Sequence, residues 1–289
     1  MPVSPLQPFF KQRGWKPFPF QKETWAAYAA GKSGLLHAPT GQGKTLAVWL
    51  GPVAEAVKDP PAGCSVIWLT PLRALAQDTL RALREPLEIL APKLQVEART
   101  GDTSAYVRAK LRKALPFGLV TTPESLSLML THEDTREKLS GLKTVIVDEW
   151  HELLGSKRGV QAELCLARLR TWLPDLRIWG LSATLGNLDQ AREVLLGDRQ
   201  VEAVTVSPDL KKEIKIETII PKEIDRFPWS GHIGTRLAPQ VLRAIEKANT
   251  TLIFTNTRSQ TEIWCQELLS LKPDWSDRIA MHHGSLDPA

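Results

Sequence analysis

Along the first two hundred residues, short apolar runs alternate with longer stretches in which apolar positions recur every three or four residues. Leu35 to Ala38, Val66 to Thr70, Phe117 to Thr121, Thr144 to Val147 and Ile178 to Ser182 are brief, apolar and run out into Thr, Asp or Ser, which predicts buried strands. Between them the clearest helix carries Leu72, Leu75, Ala76, Leu80, Leu83, Leu87 and Leu90, a spacing that lays one apolar stripe against a sheet. An earlier helix is predicted from Gln21 to Ala30, with Gly31 as its stop. Strand and helix repeated in this way predict an α/β fold: a mainly parallel sheet covered on both faces, with functional loops at the carboxyl ends of its strands.

The pattern breaks near Ser207-Pro208, where a basic stretch from Asp209 to Pro221 leads into Phe227-Pro228-Trp229-Ser230-Gly231-His232. A domain boundary is expected at about residue 207, giving a first domain of 1–207 and a second of 208–289. The second resumes the alternation, with strands expected at Thr251 to Thr255 and Ile279 to His282 around a helix from Gln260 to Leu269. There is no internal repeat and no low-complexity tract. The cluster Arg108, Lys110, Arg112 and Lys113 reads as a solvated helix face.

Composition narrows the class without naming it. A chain of 289 residues, 43% hydrophobic, can pack about two domain cores, which excludes a disordered regulator. Its apolar stretches fall short of the roughly 18 residues of a membrane span, and the start, Met1 to Trp15, has no continuous apolar signal core. Neither secretion nor membrane insertion is expected. Thirty-seven Lys+Arg against 32 Asp+Glu leaves +5, a weak pointer to a polyanionic partner. Cys64, Cys165 and Cys265 are odd in number, far apart and without ligand spacing, which argues against disulfides and zinc and fits a reducing cytoplasm. Most of the ten tryptophans are expected in cores or interfaces.

The chemistry lies at the strand ends. Leu35 to Ala38 runs into Pro39-Thr40-Gly41-Gln42-Gly43-Lys44-Thr45 and then an apolar helix. Such a loop curls so that its N–H groups face phosphate oxygens at a helix N-terminus, while Lys44 reaches the terminal phosphates and Thr45 places a hydroxyl on Mg²⁺. Ala38 stands where the first glycine of the strict pattern usually is. The strand Thr144 to Val147 ends in Asp148-Glu149-Trp150-His151, so Asp148 is the candidate metal ligand and Glu149 the base that polarises water. Ser182-Ala183-Thr184 closes the next strand. Alone, an acidic strand end or a Ser-Ala-Thr tripeptide is a common structural accident. Their order after the loop makes them informative.

In that order the chain resembles the superfamily 2 DExH helicases. Within them it is similar to the Lhr (large helicase-related) group, most closely its bacterial DNA-ligase-associated branch. The likeness rests on Phe20-Gln21, the loop from Thr40 to Thr45, Thr122-Pro123-Glu124-Ser125, Asp148 to Leu154, Phe227 to His232 and Phe254-Thr255-Asn256-Thr257-Arg258. It implies a P-loop NTPase of RecA-like fold followed by a partial second RecA-like lobe. The implied activity is ATP-driven movement, 3′ to 5′, along a single strand of DNA in association with repair and possible functional linkage to a DNA ligase. ATP and Mg²⁺ are the implied cofactors. The resemblance assigns Gln21, with Phe18, to the adenine; Thr40, Gly41, Gln42, Gly43, Lys44 and Thr45 to the phosphates; and Lys44, Asp148 and Glu149 to catalysis. It gives His151, Ser182 and Thr184 a coupling role. Pro71, Arg73, Gly101, Thr122, Pro123, Glu124, Asn256, Thr257 and Arg258 fall to the nucleic-acid backbone, a task suited to hydroxyls, backbone N–H groups and a few arginines.

The family pattern continues beyond His282-His283-Gly284-Ser285 with a Gly-Arg-x-Gly-Arg helix, whereas no arginine follows Arg278 here. An arginine at the transferred phosphoryl is worth about 10³ to 10⁵ in rate. A fragment that binds nucleotide better than it hydrolyses it is therefore expected. An RNA-remodelling ATPase and a non-catalytic, ATP-responsive nucleic-acid binding module remain open alternatives, and a small-molecule kinase would leave Asp148 to His151 and Asn256 to Arg258 without work.

Overall fold

The computed structural model describes residues 4–208, 215–220 and 234–283. Its strands are β1 (Gly34–His37), β2 (Val66–Leu69), β3 (Val96–Arg99), β4 (Gly118–Thr121), β5 (Thr144–Val147), β6 (Arg177–Ser182) and β7 (Val204–Val206). They form one sheet in the order β3-β4-β2-β5-β6-β1-β7, and every pairing is parallel. The five expected strands are present. The other two, β3 and β7, are the sheet's edges. Val96-Glu97-Ala98-Arg99 alternates polar with apolar residues and β7 has three residues, so neither presents the continuous apolar run of a strand buried on both faces. β3 has no counterpart among the five strands expected from the sequence, so the strand that ends in the acidic pair is β5, the fifth of the chain.

The helices of the first half are α1 (Gln7–Arg13), α2 (Pro19–Ala29), α3 (Lys44–Lys58), α4 (Arg73–Leu90), α5 (Ala105–Lys113) and α6 (Pro123–Leu130). They continue as α7 (Thr135–Lys138), α8 (Trp150–Leu153), α9 (Lys157–Trp172), α10 (Leu188–Leu196), α11 (Ala238–Ile245) and α12 (Arg258–Leu271). Side chains alternate across the sheet. Leu36, Val66, Trp68, Val120 and Ile146 enter a core with α1 to α4, and Leu35, Ile67, Leu119, Val145 and Val147 enter another with α6, α9 and α10. Trp25, Trp49, Trp68, Trp150 and Trp179 are fully buried, and each indole N–H finds an acceptor, respectively Leu46 O, Leu83 O, the Asp148 carboxylate, Ala191 O and Lys32 O. On α4 the expected stripe is buried at Ala76, Leu80, Leu83 and Leu87 only. Leu72 precedes the helix as its N-cap and Leu75 sits in its first turn; both are exposed. Among the described residues no helix is long and apolar enough to cross a membrane.

The chain divides into two compact units, Met1–Leu210 and Lys211–Ala289. In the second, α12 covers the expected helix, but the segments 251–255 and 279–282 are not strands. A strand exists by its ladder, and among the described residues neither segment has a paired neighbour. Leu252 and Phe254 accordingly stand exposed at 78% and 89%. Phe227 to His232, and Gly284 onward, lie outside the described residues.

At the amino ends of the central strands, Glu55 of α3 accepts from the Tyr28 hydroxyl (2.8 Å), Lys143 Nζ (2.9 Å) and Arg177 Nη2 (2.8 Å). The Arg177 guanidinium lies 4.0 Å over the Tyr28 ring, and that hydroxyl also shares a 3.0 Å bond with Thr144. One carboxylate thus ties α2, α3, β5 and β6 together. Burial would raise its pKa, but the hydrogen bonds from Lys143 and Tyr28 and the Arg177 charge outweigh that and hold it below its ordinary value. A lowered carboxyl pKa stabilises the fold above the unfolded value of 4.5, and that contribution is lost as pH falls through the folded value. Glu55→Gln is therefore expected to lower stability at pH 7 and to flatten its decline on acidification. Urea unfolding across that range tests this, and a pH dependence parallel to the parent's would contradict it.

Candidate functional site

Parallel pairing sends every strand's carboxyl end to one edge of the sheet, so residues far apart in sequence converge there. The loop after β1 turns through Gly41 and Gly43, both left-handed (φ 79° and 81°), into the N-terminus of α3. At Gly43 the close neighbour is Gln21: a Cβ there would fall 2.8 Å from Gln21 Nε2. Ala38, which stands in place of the usual glycine, lies just past β1, its N–H bonding Ser182 O at 3.0 Å with the side chain buried.

Lys44 is 8% exposed, and its Nζ is buried with no hydrogen-bond partner among the described residues. Burial lowers its pKa, opposed by the charges of Glu149 and Asp148. The loop lysine and the acidic pair therefore face one another across β6, which separates β1 from β5. Asp148 accepts from Trp68 Nε1 (3.2 Å) and from the Glu149 N–H (2.9 Å). Burial, then the Glu149 charge, push its carboxyl up to about 6, against the pull of those hydrogen bonds and Lys44. Glu149 has φ 43°, the single positive φ outside glycine among the described residues, and its buried Oε2 lies 3.5 Å from His151 Nδ1 without a hydrogen bond. His151 Nδ1 shares a 3.2 Å hydrogen bond with Ser182 Oγ, which also reaches Thr184 O at 3.5 Å.

These features fit a magnesium triphosphate. An ammonium that has lost water and gained no acceptor is matched by phosphate oxygens, and a divalent cation beside Asp148 supplies the charge that favours its ionised form. Thr45, half-buried in the first turn of α3, and Asp148 are the residues that could hold the metal. Gln21 is buried at the start of α2. Its Oε1 accepts from Phe18 N–H (2.9 Å) and its Nε2 donates to Gly43 O (3.1 Å), so the amide braces the loop, while Phe18 stacks on Phe20 with 44% of its surface exposed.

Pro71, Gly101 and Thr122 follow β2, β3 and β4, three neighbouring strands, so Pro71, Arg73, Gly101, Thr122, Pro123 and Glu124 gather along the same edge. Arg73 Nη1 meets Asp102 Oδ1 at 3.2 Å, and Thr122 caps α6 by accepting the Ser125 N–H. Asn256, Thr257 and Arg258 belong to the second unit, where Thr257 caps α12 by accepting the Gln260 N–H at 3.2 Å.

Several residues that brace these loops are not apparent from the sequence. Arg158, in the first turn of α9, donates from Nη1 to Pro71 O (3.0 Å) and from Nε to Glu124 Oε1 (2.6 Å), joining the loop after β2 and the first turn of α6, 87 and 34 positions away. Arg99 donates to Ser125 O, and Arg108 to Thr103 O and Gly101 O. No pattern marks an arginine by where its guanidinium reaches. His37 pairs with Ser182 in the β1–β6 register, and burial, Lys44 and His151 depress its pKa. Its one signal is a histidine closing an apolar strand just before the loop.

A parallel sheet with a glycine loop, a buried lysine and an opposed acidic pair on one edge defines a P-loop nucleotide-binding domain of RecA-like helicase fold. The chain belongs to the DEAD/DEAH box helicase family, whose model matches residues 18–191. It is 38% identical over 275 residues to the ATP-dependent helicase Lhr-Core of Methanothermobacter thermautotrophicus, covering 89% of this chain and 32% of that protein. The Lhr-Core of Methanocaldococcus jannaschii is 36% identical over 298 residues, 98% of this chain and 35% of its own. The solved structure of Mycobacterium smegmatis helicase Lhr bound to ssDNA and AMP-PNP superposes with a TM-score of 0.78 at 31% identity, covering 99% of this chain and 39% of that one. The chain thus spans about a third of the length of the curated relatives it matches.

If Arg158 holds the two segments, Arg158→Ala should speed amide exchange at residues 70–75 and 122–126 while leaving the central strands protected. Unchanged exchange there would mean that the segments hold themselves.

Proposed function

We propose that this protein is the nucleotide-binding part of an ATP-dependent DNA helicase or translocase, with a first RecA-like domain at 1–207 and a partial second RecA-like domain at 208–289. The observation that carries the reading is the Lys44 ammonium, buried without an acceptor and facing Asp148 and Glu149. In this reading the loop N–H groups and Lys44 hold the β- and γ-phosphates of ATP, and Thr45 and Asp148 hold Mg²⁺, which neutralises phosphate charge when bound. Glu149 orients and deprotonates the attacking water. The contact of Glu149 with His151, and of His151 with Ser182, supports a path by which the nucleotide state reaches the strand β6 and the loop after it.

The loops after β2, β3 and β4 grip the sugar–phosphate backbone of one strand; for Asn256, Thr257 and Arg258, in the second unit, the family resemblance supports nucleic-acid contact. Those loops offer hydroxyls, N–H groups and Arg73, a set that binds phosphates without selecting bases. Binding of ssDNA by the Mycobacterium smegmatis Lhr in its solved structure supports DNA as the polymer. Movement 3′ to 5′, a role in DNA repair, functional linkage to a DNA ligase and a cytoplasmic location complete the proposal, and these rest on the family resemblance. Lys44 is a cation that acts on Asp148. The 289 residues are further proposed to bind ATP well and to hydrolyse it slowly, a reading that rests on the family resemblance.

Calorimetric titration of magnesium ATP into the 289-residue chain should give a saturable binding heat that Lys44→Ala weakens at least tenfold, since a charge-assisted contact to phosphate is lost. Absence of heat with the parent chain would end the nucleotide reading. Glu149→Gln should keep that affinity and remove residual turnover. Rapid, DNA-stimulated hydrolysis by the parent would overturn the slow-hydrolysis proposal, and preferential competition by RNA would reassign the polymer.

A further inference from the structure

The outward face of α5 takes no part in the site described above. The helix AYVRAKLRK carries four cations and no carboxylate. Val107 and Leu111 turn inward to the core under β4, which leaves Tyr106, Lys110 and Lys113, at steps of four and three, on the opposite face. Tyr106 is 81% exposed, the largest exposure of any aromatic on the first unit among the described residues. Lys110 and Lys113 make no ion pair among those residues.

The helix is also fixed to the candidate nucleic-acid edge. Ser104, two residues after Asp102, caps it, and Arg108 reaches back to bond Gly101 O (3.2 Å) and Thr103 O (2.7 Å). The cations crowd one another: burial first, then the charges of Arg108 and Arg112, depress the pKa of Arg99 beneath them. A polyanion relieves such repulsion. An exposed aromatic interleaved with cations is the combination that holds single strands, because an unpaired base offers its face to the ring while phosphates meet the ammonium groups. A duplex keeps its base faces stacked inside.

We propose that Tyr106, Lys110 and Lys113 form an auxiliary track for the unpaired DNA strand where it passes the Thr100-Gly101-Asp102 turn. One base stacks on the Tyr106 ring, and the phosphates that follow run along the helix, about 13 Å in length at 1.5 Å per residue, past the two lysines. This track rests on the nucleic-acid reading of the neighbouring loops and extends it to a surface which that reading leaves in solvent.

The test is fluorescence anisotropy of the 289-residue chain with labelled oligo(dT), and with a blunt duplex of equal length, over a series of salt concentrations. Tyr106→Ala should weaken oligo(dT) binding about tenfold, Tyr106→Phe should restore it, and neither should change the melting temperature, since the side chain is in solvent. Lys110→Ala with Lys113→Ala should weaken it further and reduce the slope of log K against log salt by about 1.4, two phosphate contacts at roughly 0.7 each. Variants that bind oligo(dT) like the parent overturn the track, as does an equal loss for the blunt duplex, which would mark a general basic patch. If the parent itself does not bind oligo(dT), the nucleic-acid reading falls and takes the track with it. Parent binding with unaffected variants removes the track alone.

Discussion

A desolvated ammonium facing two carboxylates across one strand is the arrangement on which the rest of the molecule depends. Lys44 stays buried without a hydrogen bond because Asp148 and Glu149 sit opposite, and half-buried Asp148 is held by Trp68, the Glu149 N–H and the Lys44 charge. Neither half is comfortable alone. The parallel sheet supplies the geometry: β1 and β5 flank β6, all three point the same way, and their loops open at the same edge. The central strands are apolar on both sides because helices cover both faces.

How far this was legible in the sequence varied with burial. Strands β1, β2, β4, β5 and β6 read as continuous apolar runs because both faces are covered. The edge strands β3 and β7 did not, one because Glu97 and Arg99 interrupt it and the other because it is three residues long. In the second unit the apolar residues of 251–255 suggested a strand, but periodicity predicts only a tendency, and a ladder needs a neighbour that the described residues do not supply. At the site, the loop, the acids and Ser182 could be read because their chemistry requires particular residues at strand ends. The braces Arg99, Arg108 and Arg158 could not, since a long side chain may end near any of several loops and only the folded backbone decides which.

Those braces divide the labour along the edge. The residues proposed for the nucleotide hang from β1, β5 and β6, and those proposed for the nucleic-acid backbone from β2, β3 and β4. The first turn of α9 carries Arg158, six residues beyond Glu152 and one short helix beyond Glu149, so the segment that begins with the acidic pair ends by holding Pro71 and Glu124. A hydrogen bond and an ion pair from the first turn of α9 therefore link this segment to the chain after β2 and to the start of α6.

The left-handed backbone at Glu149 sets the protein's chemistry against its own durability. A side chain at φ 43° is held there at an expense of about 1 to 3 kcal/mol, which glycine would not incur. Selection or engineering for thermal robustness alone would thus favour replacing the very carboxylate assigned to activating water. Glycine at this position would lie downhill in folding free energy, and in the proposed reading that gain in persistence would remove the carboxylate on which turnover depends.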